Sequence, residues 1–217
     1  MMLVLGTRNR KKGAELAELL APYRIEIRTL ADFAQKLDVT EDGQTFMDNA
    51  KKKAAEQAKF LHAWVIGEDS GLCVDALDGA PGVFSARFAA FSGSPNVSGN
   101  VSENASDEDN NQRLLEKLAA VPPDKRTARY VCTAALSDPE GNIRGEVQGI
   151  CRGRILSAPE GTGGFGYDPL FEISEYHRTF GLLPSVVKQM ISHRARAMRK
   201  LIPIILQETA APDASFV

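Results

Sequence analysis

Apolar residues along this chain alternate between helical and strand periods from its first residues onward. Residues 2–6 form a short apolar run closed by Gly6, the pattern of a buried strand. Residues 11–20 place Leu16, Leu19 and Leu20 at helical spacing, with Pro22 behind them as a stop. Residues 24–30 alternate apolar and polar, as a second strand does. Strand, helix, strand at this spacing predicts an α/β layer. Thr45 and Asp48 have the spacing of a capping box, and Phe46, Ala50, Ala54, Ala58 and Leu61 then line one helical face. Lys51, Lys52, Lys53 and Lys59 read mostly as the solvated remainder of that helix. Residues 64–67 and 72–77 predict two further strands, parted by Glu68-Asp69-Ser70-Gly71.

Residues 91–106 are rich in Ser, Asn and Gly and read as a mobile loop. Their N-x-S matches at Asn96, Asn100 and Asn104 read as accidents of composition. Ser106, followed by Asp107, Glu108 and Asp109, predicts a helix start, because acids offset the positive end of the dipole. Leu114, Leu115 and Leu118 give that helix a buried stripe. Residues 127–136 and 142–151 flank Asp138-Pro139-Glu140-Gly141, which predicts a hairpin. A last helical region covers about 184–207, with a fresh start at Ser192 and a bend or end at Pro203. The tail from Thr209 is expected to fray. The whole reads as one domain over 1–208, without internal repeats.

Composition narrows the class. A chain of 217 residues buries enough surface to fold without staples. A net charge of -2 argues against a general nucleic-acid binder, though not against a small polyanion held by a local basic cluster. Cys73, Cys132 and Cys151 are far apart and form no CxxC pair, so they read as buried free thiols rather than zinc ligands. No basic leader opens the sequence, and no apolar run approaches the ~18 residues of a membrane span. The expectation is a cytoplasmic protein with no membrane partner.

Four segments carry candidate chemistry. Thr7-Arg8-Asn9-Arg10-Lys11-Lys12 lies where a strand hands over to a helix, a place that favours anions. A solvated basic turn with Asn9 as the cap accounts for the same residues. Glu68 and Asp69 end an apolar run, where unpaired acids are costly, so a nearby cation would explain them. Glu41, in the turn before the capped helix, offers a further carboxylate. Mg²⁺ in phosphate chemistry takes one or two such groups; a plain turn ahead of Gly71 is the alternative. Gly161-Thr-Gly-Gly-Phe-Gly-Tyr-Asp-Pro169 combines backbone freedom with Phe165 and Tyr167, flat surfaces for a base, and Asp168 as an acceptor. A tight turn with aromatic packing would look the same. The fourth segment is Lys188 with Ser192-His193-Arg194: a cap at Ser192 puts His193 and Arg194 in the first turn of a helix, where the dipole disfavours cations unless an anion or electron-rich carbonyl is near, and a surface basic helix end is the alternative.

Together these segments resemble the inosine triphosphate pyrophosphatase family, also called dITP/XTP pyrophosphatases. The family pattern T-x-N-x-x-K is met by Thr7, Asn9 and Lys12. E-x-G-x-T-F-x-E-N-A is met by 41–50, with Asp48 in the acidic slot. D-D-S-G-L is met by 68–72, G-A-P-G-x-x-S-A-R by 79–87, G-T-G-G-F-G-Y-D-P by 161–169 and S-H-R by 192–194, with Lys188 before it. The resemblance implies an α/β fold: an elongated mixed β-sheet flanked by helices, in two lobes with a central active-site cleft, and a homodimer. It implies attack of water on the α-phosphorus of a non-standard purine nucleoside triphosphate, releasing pyrophosphate, with Mg²⁺ as cofactor. Residues 7–12 would hold the triphosphate, and Asp69 would accept a proton and ligate the metal with Glu41. Ser70 would touch substrate, and Phe165, Gly166, Tyr167, Asp168, Lys188, His193 and Arg194 would hold base and sugar. Glu68 stands where the family more often has Asp, and Lys11 where it often has glycine. The loop 91–106 is longer than usual, and 182–187 lacks the usual acids. The competing readings are a related pyrophosphatase for modified or pyrimidine nucleotides and a catalytically silent nucleotide-binding regulator.

Overall fold

The computed structural model describes residues 2–23, 25–35, 37–90 and 105–209. The loop 91–104 with Asn96, Asn100 and Asn104, the tail 210–217, and the predicted strand start at position 24 lie outside them. In chain order the elements are β1 (Met2–Leu5), α1 (Arg10–Leu20), β2 (Glu26–Thr29), α2 (Phe46–Leu61), β3 (Trp64–Val74), α3 (Asp107–Lys117), β4 (Thr127–Ser137), β5 (Ile143–Ile155), β6 (Phe171–Ile173), β7 (Arg178–Thr179), α4 (Ser185–Ile191) and α5 (His193–Thr209). The strands form one sheet in the order β2-β1-β3-β4-β5-β6-β7. The sheet is mixed: β1 pairs parallel with β2 and β3, while β6 pairs antiparallel with β5 and β7. This is the predicted α/β class. Among the described residues no helix is long and apolar enough to cross a membrane.

The chain divides into two compact units. One draws on residues up to 69, 132–149 and those from 193 on; the other on 70–131 and 150–192. In the first unit the strands send alternate residues to opposite faces. Leu3, Leu5 and Ile66 pack with Leu16 and Leu20 of α1 and with Met198, Leu201 and Ile205 of α5. Val4 and Val65 pack with Ala58 of α2 on the other side. The second unit has its own core, built on Leu72, Leu114, Leu118, Tyr130, Phe171 and Phe180.

Three differences from the sequence reading have physical causes. The two strands expected at 64–67 and 72–77 are one strand, β3, which runs through Glu68-Asp69-Ser70-Gly71 and ends in a 3-10 turn at Asp75–Leu77. β1 pairs with β3 only as far as Ile66, and beyond that β3 continues as a strand with β4 as its other neighbour in the sheet, so pairing in the sheet overrides the turn preference of Ser-Gly. Strands β6 and β7 were not foreseen, because three and two residues are too few to show a period. Of the bend or end expected at Pro203, the end is absent: α5 continues past it to Thr209. The fresh start expected at Ser192 is present as the break between α4 and α5.

Helix α2 sits unusually close to β3. A Cβ on Gly67 would lie 2.1 Å from the Ala50 carbonyl oxygen and 2.5 Å from the Ala54 nitrogen. Replacing Gly67 by Ala should therefore overpack a rigid backbone contact and cost about 1–3 kcal/mol. A urea midpoint equal to the parent's would mean that α2 can retreat freely.

Candidate active site

Adjacent residues on a strand point to opposite faces, so Glu68 continues the side of Ile66 and Asp69 the side of Val65 and Gly67. Both carboxylates are buried, at 3% and 8% exposure. Each is neutralised by different helices. On the first side Lys12 of α1 stands 3.1 Å from Glu68 Oε2, and Arg194 of α5 donates from Nη2 to Glu68 Oε1 at 3.1 Å. Arg194 also donates to Glu15 of α1, and the Cys132 thiol donates to Glu68 Oε1 at 3.4 Å. Burial pulls the Arg194 guanidinium down, but Glu68 and Glu15 outweigh it, so the group stays charged. The cation in the first turn of α5 thus meets anions from its own chain. Burial and the neighbouring Glu68 push the Cys132 thiol well up, which keeps it protonated. The three cysteines are buried and free.

On the other side α2 supplies the partners. Asn49 donates from Nδ2 to Asp69 Oδ2 at 3.0 Å, and its Oδ1 accepts from the Gly43 amide at 2.8 Å. Lys53 Nζ lies 3.0 Å from Glu41 Oε2 and 3.4 Å from Asp69 Oδ1. Lys52 holds Asp42 at 2.7 Å, and Gln57 donates to the Leu37 carbonyl at 2.9 Å. Helix α2 itself starts as read from the sequence: Thr45 accepts from the Asp48 amide and Asp48 bonds back to Thr45. The turn carrying Glu41 is therefore fastened to α2, and α2 carries it to Asp69. Burial raises the Asp69 carboxyl, while Lys53 and Lys12 pull it back toward ionisation. Burial lowers the Lys53 ammonium, but Asp69, Glu41 and Glu68 reverse that and leave it raised.

Lys53 corrects the sequence reading. Its side chain is 12% exposed and ion-paired, not part of a solvated face. Asn49, Lys53 and Gln57 recur every four residues beside the stripe Ala50, Ala54, Ala58. That polar stripe flanking a small-residue stripe was the available signal. Asn49 was inside a quoted motif but was given no role.

The remaining residues fall as follows. Asn9 caps α1, accepting from the amides of Lys11 and Lys12 at 3.0 and 3.1 Å, and Thr7 Oγ1 accepts from the Asn9 amide. Arg8 reaches the Leu37 carbonyl and the Asp38 carboxylate, so it braces the segment before Glu41. Arg10 and Lys11 are exposed, and His193 is buried at the start of α5. Ser70 follows Asp69 on β3 in the second unit. There Lys188 meets Asp168 at 2.7 Å, and its ammonium lies 4.7 Å from the centre of the Phe165 ring. Asp168 Oδ2 also accepts from the Phe165 amide at 2.9 Å, and Tyr167 donates its hydroxyl to the Ser85 carbonyl. Gly166 lies between these side chains with φ 62°, in the left-handed region.

The model of the Ham1 family matches residues 3–204. The chain belongs to the Ham1 family. It is 52% identical over 205 residues to a dITP/XTP pyrophosphatase of Rhodopirellula baltica, covering 94% of this chain and 93% of that protein. It is 46% identical over 205 residues to a dITP/XTP pyrophosphatase of Desulforamulus reducens, covering 94% and 96%. A solved HAM1 protein from Coxiella burnetii superposes with a TM-score of 0.81 at 34% identity, over 95% of this chain and 99% of that one.

In this Ham1-family chain, buried Glu68 has two protein cations, Lys12 and Arg194. Arg194→Met would leave that carboxylate buried with Lys12 as its main counter-charge. The expected loss is about 3–5 kcal/mol, partly recovered when Glu68→Gln is added in the same chain. Chemical denaturation of the two variants reads this; a loss below about 1 kcal/mol would assign the neutralisation to Lys12 alone.

Proposed function

We propose that this chain hydrolyses non-standard purine nucleoside triphosphates, dITP, ITP and XTP, to the monophosphate and pyrophosphate, keeping such nucleotides out of the pool. The observation that carries the reading is Asp69: a buried carboxylate aimed by Asn49 and sharing one ammonium with Glu41. A carboxylate raised by burial is a stronger base than a solvated one, while Lys53 and Lys12 favour its ionised form. That combination suits a group that takes a proton from attacking water.

Nucleotide pyrophosphatases are generally metal-dependent. Among the described residues no group of three His, Cys, Asp or Glu side chains converges as a metal cage. Two carboxylates do converge, since Glu41 and Asp69 lie within 3.0 and 3.4 Å of one Lys53 nitrogen. This donor set fits Mg²⁺, which takes one or two carboxylates and completes its shell with water and phosphate oxygens. Glu41 and Asp69 would hold it, and the chemistry it supplies is neutralisation of charge on the departing pyrophosphate. Lys12, with Thr7 and the basic turn 8–11, would hold the triphosphate, and Ser70 would touch it. Phosphoryl transfer asks for such positioning and charge neutralisation rather than covalent catalysis.

For the base, the Phe165 ring would offer a stacking surface and Lys188 a donor for a 6-oxo group, with Gly166, Tyr167 and Asp168 in the same loop as Phe165. His193 would add to the base and sugar contacts on this reading, whereas Arg194, buried against Glu68 and Glu15, would instead fix the start of α5. Adenine presents an amino group where hypoxanthine presents a carbonyl, so a buried donor would be left unmet. A homodimer and a cytoplasmic location belong to the same proposal.

Pyrophosphate release from ITP, XTP, dITP, GTP and ATP with Mg²⁺ tests the assignment. The first three should lead by at least about a hundredfold in kcat/KM. A preference for dTTP or UTP would reassign the substrate, and tight ITP binding without turnover would make the protein a regulator. Chelation should abolish turnover and added Mg²⁺ restore it. Asp69→Asn should reduce kcat by about a thousandfold or more with an unchanged fold, and near-normal activity would remove it as the base. Lys12→Ala should act mainly on KM.

A further inference from the structure

The turn that carries Phe165, Gly166, Tyr167 and Asp168 satisfies most of its backbone groups from within or from its immediate neighbours. The Phe165 amide goes to Asp168 Oδ2 at 2.9 Å, and the Asp168 amide to the Phe165 carbonyl at 3.3 Å. The Tyr167 carbonyl accepts from the Leu170 and Phe171 amides, both at 3.0 Å, and the Asp168 carbonyl from the Gly181 amide at 3.0 Å. Gly166 is held differently. Its amide donates to Asp107 Oδ2 at 2.8 Å, and its carbonyl accepts from Asn111 Nδ2 at 3.0 Å. Both partners stand on α3, one helical turn apart, so they face the same point. Helix α3 is itself fixed: Asn110 holds the Ala89 amide and the Ala86 carbonyl, and Leu114 enters the core.

The geometry points to Asp107 and Asn111 as positioning residues for base recognition. The amide and the carbonyl of Gly166 belong to the two peptide planes on either side of its Cα. Gripping both sets the directions of the Phe165 carbonyl and of the Tyr167 amide. Gly166 has φ 62°, and a glycine lacks the side chain that would otherwise bias either plane. Without the grip from α3, the loop loses the constraint that aims the Phe165 ring and the Asp168 carboxylate. An acid in the first turn of α3 also favours the helix dipole, but Glu108 and Asp109 supply that charge as well. The specific role of Asp107 is its bond to Gly166. The inference rests on the reading of residues 165–168 as the base-binding loop.

Asp107→Ala, Asn111→Ala and Asp107→Asn separate the possibilities. Asparagine keeps an acceptor oxygen for the Gly166 amide. Two readouts are needed: amide exchange at Gly166 by NMR, and kcat and KM for ITP and ATP. Asp107→Ala should speed exchange at Gly166 by about tenfold. Either alanine variant should raise KM for ITP by about tenfold and narrow the preference over ATP, with kcat within about threefold of the parent. Asp107→Asn should restore both readouts. Faster exchange with an unchanged KM for ITP would overturn the role in base recognition, as would an equal fall in kcat for every nucleotide. Unchanged exchange would overturn the clamp itself. A parent enzyme indifferent between ITP and ATP would instead sink the assigned substrate class, and the exchange measurement would still judge the clamp.

Discussion

Two consecutive carboxylates in the middle of a sheet are a severe electrostatic demand, and the first unit is arranged around meeting it. Strand alternation sends Glu68 and Asp69 to opposite faces, so one helix layer cannot neutralise both. Helices α1 and α5 bring Lys12 and Arg194 to Glu68, and α2 brings Lys53 and Asn49 to Asp69. The two acids differ in what surrounds them, and so in what they can do. Glu68 has both charge and hydrogen bonds from cations on its side, with a thiol as an additional donor. Asp69 has an amide and a more distant ammonium that it shares with Glu41. The first arrangement sets two cations against one acid; the second sets two acids against one cation.

The small residues of α2 make the second arrangement possible. Ala50, Ala54 and Ala58 let the helix lie against β3 at Gly67, and that approach brings the adjoining polar stripe to the carboxylate. Asn49 then serves two elements at once, tying the turn at Gly43 to Asp69. A shift of α2 would therefore move the amide, the ammonium and Glu41 together. Close packing here is a way of positioning charge as well as burying surface.

Much of this was legible in the sequence. The capping box at Thr45, the Asn9 cap, the hairpin around Asp138 and the restart of the last helix at Ser192 are set by local chemistry, and local chemistry is what short patterns record. The motif segments also contain Glu41, Asp69, Lys12 and Arg194, all of which the structure places in ion pairs. What escaped notice depends on contacts distant in sequence. Ser-Gly inside β3 looks like a turn, yet the strand runs through it to Val74. Lys53 looks like one more surface lysine until Glu41 and Asp69, 12 and 16 residues away, are seen to meet it. The grip on Gly166 joins side chains 59 and 55 residues distant, and no period in the sequence announces it.

The route of the chain through the first unit has an effect on how the protein is made. Arg194 is 126 residues beyond Glu68, so a ribosome must add all of that intervening chain before the acid can receive its guanidinium. Until then a nascent β3 carries a carboxylate that its sheet cannot comfortably enclose. Completion of the first unit is thus tied to the emergence of its last helix, and a message cut short before α5 would yield a product lacking a needed counter-ion as well as a core helix.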